Sequence, residues 1–422
     1  MKVFKKWIVS LLAGILLLNV GSMVTSVKAA TKIDASAALV MDAKTGQIIY
    51  QKNTDKVLPV ASITKLLTVA VIENEIKENK LNWNSKVKIN KTLAKLSTSS
   101  ELSNVELKKG SSYTVKNLVH ASLISSADAA TLALTTATGD TTASFNKKLQ
   151  AMAHKIGVKD AKIYNAVGLK NSDLGALKLK NVSAKSENEM SASDVAKIAQ
   201  YVVKHDSNVL QITKIKTETF KTTATASTVM NSLNQMLPGN TMAPKTVTMD
   251  GLKTGTSDAA GNSFVGTGTY KGHRLITVVL HANGDTDARY TQTENLLRMV
   301  VNGYNPVSLK KNATVSQAKT VSIPNGKQTK LAVRVAEDTT IWVKKGTSLS
   351  SWKNTFKAKT SLQNKKHQLA APVKAGQTVG NLQLSKDGVT SLSGNKSVAV
   401  PVKAHTAMNK ANIFVRMYRA IF

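Results

Sequence analysis

Apolar positions change their spacing several times along the chain, and each change predicts an element. Ala37 to Met41 and Gln47 to Tyr50 are short apolar-rich runs on either side of Asp42-Ala-Lys-Thr-Gly46. They predict a β-hairpin with a glycine in its turn. From Ser62 to about Ile76 the spacing tightens. Ile63, Leu66, Leu67, Val69, Ala70 and Val71 are dense enough for a buried helix, with Pro59 as a turn former just upstream. Val115 to Thr136 and Phe145 to Ile156 predict further helices, and Ser191 to His205 another, with Ser191, Ser193 and Asp194 as capping candidates. Strand-like runs return at Asn262 to Tyr270 and Arg274 to His281, joined at Lys271-Gly272, before a helical stretch from Thr291 to Val301. Strands at both ends with helices between predict an α/β (α+β) layer structure whose sheet draws on both chain ends.

After Tyr304-Asn305-Pro306 the texture shifts. Lys330 to Val335, Thr340 to Val343 and Ser397 to Val402 alternate between turns and predict a small all-β domain. At the end, Ile413, Phe414, Met417, Tyr418, Ile421 and Phe422 recur at helical spacing opposite Asn409, Lys410, Asn412, Arg416 and Arg419. That is an amphipathic basic helix, suited to an anionic membrane surface or to packing on the β domain. At the other end, Lys2, Lys5 and Lys6 precede an apolar run from Trp7 to Val20, and Val27-Lys28-Ala29 offers a cleavage site before Ala30. This reads as a signal peptide, hence an exported protein acting at the extracytoplasmic face. The expected division is 1–29 signal, 30–305 catalytic, 306–405 β domain and 406–422 terminal helix.

Charge narrows the partners. Lys and Arg number 58 against 25 Asp and Glu, a formal net charge of +33. An anionic wall polymer or membrane surface fits diffuse positive charge. Nucleic acid is not expected, because aromatics make up only 5% and no groove-reading element is present. With no Cys, disulfides and thiol chemistry are excluded; seven scattered His in no ligand-pair spacing give no expectation of a metal or other cofactor.

Ser62-Ile-Thr-Lys65 places a hydroxyl and an amine one helical turn apart, close enough for the amine to take the hydroxyl proton. The spacing alone is cheap: Ser85/Lys88, Ser144/Lys147 and Ser308/Lys311, among others, share it. Only Ser62 opens a strongly apolar helix after a Pro59-Val-Ala-Ser turn. Lys253-Thr254-Gly255-Thr256 precedes the Asn262 strand and predicts an edge strand beside the nucleophile. There Lys253 stabilises negative charge, Thr254 binds a carboxylate, Gly255 lets substrate approach, and the Thr256 N–H joins that of Ser62 in an oxyanion hole. Lys44-Thr45-Gly46 repeats the letters but reads as the hairpin turn.

Together these stretches resemble the low-molecular-weight penicillin-binding proteins, the D-alanyl-D-alanine carboxypeptidases of the SxxK serine peptidase group. The resemblance runs through Val40 to Tyr50, Leu58 to Thr68, Asn165-Ala-Val-Gly-Leu169, Asp250 to Gly261 and Leu369 to Gly380. It implies a β-lactamase/transpeptidase-like domain with helices packed on an antiparallel sheet, followed by the β domain and an anchor helix. It implies peptidoglycan stem peptides as substrate, β-lactams as inhibitors, Ser62 as acylated nucleophile, Lys65 as its base, and Lys253-Thr254-Gly255 as the substrate strand. Arg289 falls where the family has an arginine for the substrate's carboxylate. The third motif, Ser-x-Asn, departs: Ser126-Ala127-Asp128 aligns without a gap and puts Asp where Asn is usual, with Ser125-Ser126-Ala127 as the alternative register. An ionised Asp128 favours the charged form of Lys65. Two other readings stay open: a wall-binding protein that has lost catalysis, and a β-lactamase-like hydrolase, for which no deacylating Glu stands out.

Overall fold

Asp42 closes the first turn: its Oδ1 accepts from the Lys44 and Thr45 N–H groups at 3.0 and 2.7 Å and from the Thr45 hydroxyl at 2.9 Å. Gly46 follows with a left-handed φ of 70°, which glycine adopts without steric cost. The expected hairpin is thus in place as β1 (Ala35–Asp42) and β2 (Gln47–Lys52). The computed structural model describes residues 32–205 and 207–421, so the expected signal segment lies outside the described residues. Everything described from Ile33 onward belongs to one unit.

Downstream of the hairpin come α1 (Lys65–Lys77), α2 (Val115–Ile124), α3 (Asp128–Thr135), α4 (Thr142–Ile156) and α5 (Ala192–His205). They are followed by β3 (Thr248–Ser257), β4 (Gly261–Tyr270), β5 (His273–Ala282) and α6 (Ala288–Gly303). The sheet does use both chain ends. β1 lies antiparallel between β2 and β5, with Leu39 opposite both Gln51 and Val278, and β4 and then β3 extend it to an edge. Central strands read as continuous apolar runs because both faces are covered. Ala37, Leu39 and Met41 pack with the helical layer of α1, α2 and α5, whereas Ala38 and Val40 pack with α6.

Two expectations need correction. The helix predicted from Ser62 starts as a 3-10 turn, Ala61–Thr64, and becomes α-helical only at Lys65. The helix predicted over Val115 to Thr136 is two helices, broken at Ser125–Ala127. The break is made by backbone diversions rather than by Gly or Pro. Ser126 adopts φ 60°, the Ala127 N–H returns to the Ala121 carbonyl, and the Asp128 N–H leaves for the Ser103 carbonyl at 2.7 Å. A left-handed serine costs about 1–2 kcal/mol, and such strain concentrates at functional positions.

The β region comprises β6 (Tyr304–Leu309), β7 (Thr320–Ser322), β8 (Lys330–Val335), β9 (Thr339–Lys344), β10 (Lys353–Ala358), β11 (Thr378–Ser385), β12 (Thr390–Ser391) and β13 (Val398–Ala404). Five of these form a sheet in the order β7-β8-β13-β11-β10, over a core including Leu331, Val333, Leu382, Val400 and Val402. Its junction with the catalytic sheet is intimate. Trp342, fully buried, inserts among Val40, Ile49 and Tyr270, and its indole N–H donates to Asp42 Oδ2 at 2.9 Å. The Gln47 amide bonds the Trp342 backbone N–H and C=O, and β12 pairs with β2 to become the sixth strand of the catalytic sheet.

The chain ends in α7 (Ile413–Ile421). Arg419 donates to the Pro324 and Gly326 carbonyls, so the polar face of α7 lies on the β domain. Ile413, Phe414, Met417, Tyr418 and Ile421 face outward, Phe414 at 78% exposure. Among the described residues, no helix is long and apolar enough to cross a membrane.

Candidate active site

Three short segments converge at the β3 edge. The 3-10 turn presents Ser62, half-buried, while Lys65 points inward with no solvent exposure. Lys65 Nζ lies 2.7 Å from Ser62 Oγ, 3.3 Å from Ser126 Oγ and 2.6 Å from Asp128 Oδ1. From β3, Lys253 Nζ reaches Ser126 Oγ at 2.9 Å and the Thr254 carbonyl at 3.0 Å. Two amines, two hydroxyls and one carboxylate therefore form a continuous proton-bearing chain. The register question is answered by geometry: Ser126 and Asp128 both enter the site, whereas Ser125 Oγ bonds the Ala121 carbonyl inside its own helix.

Burial governs the electrostatics. Desolvation pulls the Lys65 amine below the ordinary lysine range, opposed by the attraction of and hydrogen bond to Asp128. Lys253 is pulled well below it, first by burial and then by the Lys65 charge. Asp128 opens α3, its own N–H bonded to the Ser103 carbonyl and the Ala129 N–H to Asn104 Oδ1.

The remaining predicted residues are placed as follows. Thr254 is buried and Thr256 exposed on the edge strand, opposite Phe264 and Asn262 of β4. Gly255 also has a packing role: a Cβ there would lie 2.4 Å from the Val60 carbonyl and 3.0 Å from Ile63. Its bareness lets β3 close on the nucleophile turn. Arg289 comes from α6 behind the sheet, and is 2% exposed. Its guanidinium donates to the Thr286, Gly255 and Ser263 carbonyls, to the Thr256 hydroxyl at 2.8 Å and to Asn262 Oδ1 at 2.7 Å. Its nearest link to the exposed edge of β3 is the Thr256 hydroxyl that it holds.

Sequence reasoning missed the buttress behind Ser62. Asn165 Oδ1 accepts from the Val167 and Gly168 N–H groups, and Asn188 Nδ2 ties the Asn165 carbonyl to the Thr64 hydroxyl. Gly168, at φ 82°, sits so close that a Cβ would be 1.9 Å from the Ala61 carbonyl. The Asn165 to Leu169 stretch stood out in the sequence without any sign of what it presses against. Gly168→Ala is expected to destabilise the fold by about 2 kcal/mol through strain and displaced backbone. It should also slow acylation of Ser62. Thermal unfolding with penicillin-acylation rates checks both, and a variant equal to wild type in each would remove the buttress from the account.

Residues 23–284 match the family described as D-alanyl-D-alanine carboxypeptidase, and residues 307–410 match the penicillin-binding protein 5 C-terminal domain. D-alanyl-D-alanine carboxypeptidase DacF of Bacillus subtilis (strain 168) is 26% identical over 396 residues, covering 92% of this chain and 89% of that one. A Streptococcus pneumoniae structure, described as a peptidoglycan synthesis regulatory factor (PBP3), superposes with a TM-score of 0.77 at 30% identity. It covers 90% of this chain and 100% of that one. Penicillin-binding protein D2 of Listeria monocytogenes, in an ampicillin-bound form, superposes with a TM-score of 0.51 at 27% identity, over 63% of this chain and 97% of its own.

Proposed function

We infer the roles of these residues from one premise: the chain belongs to the D-alanyl-D-alanine carboxypeptidase family and is a serine-type carboxypeptidase of peptidoglycan. Ser62 Oγ attacks the carbonyl of the penultimate D-alanine while Lys65 takes its proton. The oxyanion is held by the N–H groups of Ser62 and Thr256. Terminal D-alanine leaves with a proton delivered through Ser126, which Lys253 holds in place. Water then hydrolyses the acyl-enzyme, with Lys65 again as base. Lys253, Thr254 and Thr256, the last positioned by Arg289, receive the terminal carboxylate. The observation that carries this reading is the Lys65 amine, buried and 2.7 Å from the Ser62 hydroxyl. Incubation with a D-Ala-D-Ala-ended peptide should release D-alanine and leave a product one residue shorter. Larger fragments instead would mean an endopeptidase.

β-Lactams present a strained amide to the same serine and should acylate it, as the ampicillin- and cefotaxime-bound forms of the Listeria relative encourage. Export through segment 1–29, the domain limits at 305/306 and 405/406, and contact with anionic wall polymers complete the proposal. Membrane attachment through α7 is supported by the outward apolar face and by the Arg419 clamp on the opposite side. Ending the chain at Asn412 keeps Met408 in the β-domain core. That truncation should lower binding to anionic vesicles at least tenfold with peptidase activity intact. Undiminished vesicle binding would sink the anchor.

A further inference from the structure

Charge is divided unequally between the two parts of the chain. From Ile33 to Asn305, 33 Lys and Arg stand against 22 Asp and Glu, whereas from Pro306 to Phe422, 20 stand against only 3. Two of those three acids are already engaged: Glu337 pairs with Lys44 of the catalytic part at 3.3 Å, and Asp338 with Lys310 at 3.2 Å. The β domain therefore presents an almost uncompensated positive surface.

That surface has a shape. On β10, Lys353, Thr355 and Lys357 point outward, opposite Ser385, Gln383 and Asn381 of β11, and the next outward positions, Ala399 and Pro401 of β13, carry no acid. At the Lys353 end these strands run into a cleft of about 620 Å³, lined by Ser351, Lys353, Ser385, Lys386, Asp387 and Lys396. Lys353, Lys386 and Lys396 are all exposed there, Asp387 is the one acid lining it, and no arginine takes part. Three exposed ammonium groups beside the Ser351 and Ser385 hydroxyls, with one acid among them, complement a polymer carrying one negative phosphodiester per repeat.

Position separates this cleft from the membrane helix. It adjoins β12, which pairs with β2 of the catalytic sheet. The opposite end of β11, at Thr378, pairs with Lys403 and leads toward the Met408 segment and α7. The strand's eight residues put about 23 Å between the two ends. A surface met by α7 is thus approached from the far end of the domain, and the cleft opens beside the catalytic part.

We propose that this cleft and the adjoining β10–β11 face bind a phosphodiester-linked polyanion of the cell wall, holding the enzyme along the polymer from the sheet edge opposite the Ser62 site. The proposal rests on the extracytoplasmic reading above and gives the wall-polymer contact a location and a chemistry.

The test uses the chain from Ala30 onward with purified poly(glycerol phosphate) as probe, at several salt concentrations. Wild type should bind with affinity that falls steeply as salt rises, because bound lysines release counterions. K353Q/K386Q/K396Q should weaken binding at least tenfold and lower the log–log salt slope by about two. A control triple on exposed lysines of the catalytic part, K86Q/K88Q/K109Q, should change it less than twofold. D-Alanine release from a short peptide should be the same in all three proteins, which also reports folding. Equal loss in the control triple would mean diffuse charge only and overturn the site. So would polymer binding by the cleft triple at wild-type strength, an absence of wild-type binding, or cleft-triple losses confined to phosphatidylglycerol vesicles. Missing D-alanine release in wild type would instead strike the peptidase assignment and leave the binding result to be read by itself.

Discussion

Ser62→Ala is expected to abolish covalent labelling by penicillin and to lower D-alanine release about 10⁴- to 10⁶-fold, the scale seen when a serine hydrolase loses its nucleophile. The neighbouring hydroxyl offers no substitute. Ser126 Oγ is fixed by Lys253 at 2.9 Å and approached by Lys65 at 3.3 Å, on a residue that is only 2% exposed. Folding should be unaffected, since Ser62 Oγ has its hydrogen bond with Lys65 and Lys65 retains Asp128 when it is gone. Circular dichroism and thermal unfolding will confirm that, and single-turnover acylation reads the loss. Residual activity within tenfold of wild type would mean another nucleophile.

The second large effect comes from Asp128→Asn. Burial lowers the affinity of Lys65 for its proton, and Asp128, 2.6 Å away, restores part of it. A base must be neutral to accept the Ser62 proton, so the acid limb of the acylation rate follows the Lys65 pKa. Removing the carboxylate removes an upward influence, and the limb moves to lower pH. Below the wild-type limb, acylation should rise about ten- to a hundredfold. The pH profile of second-order penicillin acylation decides the matter. A limb that stays in place, or moves upward, would show that Asp128 does not hold the proton on Lys65.

Why the site was partly legible follows from what each residue leans on. Ser62 and Lys65 announced themselves because a turn former precedes a run too apolar to be exposed, and Lys253 to Thr256 because a polar strand directly precedes two buried ones. The break at Ser126 had no such signal. Its flanks are good helix formers, and the left-handed serine is held by tertiary bonds from Ser103 and Lys253 that no local pattern encodes. Gly255 and Gly168 are required by carbonyl groups of another segment, those of Val60 and Ala61. The family resemblance alone implied a carboxylate role for Arg289, and its approach from behind the sheet to Thr256 was not legible locally. Trp342 read as one more strand residue of an all-β domain, yet it is buried in the catalytic core against Asp42. In each case the partner is distant in sequence, where periodicity carries no information.

The most direct test is mass spectrometry of the chain from Ala30 onward after incubation with penicillin and, separately, with a D-Ala-D-Ala-ended peptide. A penicilloyl adduct on the peptide containing Ser62, together with free D-alanine, is the result the account predicts. An adduct on any other residue, or neither adduct nor released D-alanine from correctly folded protein, would contradict it.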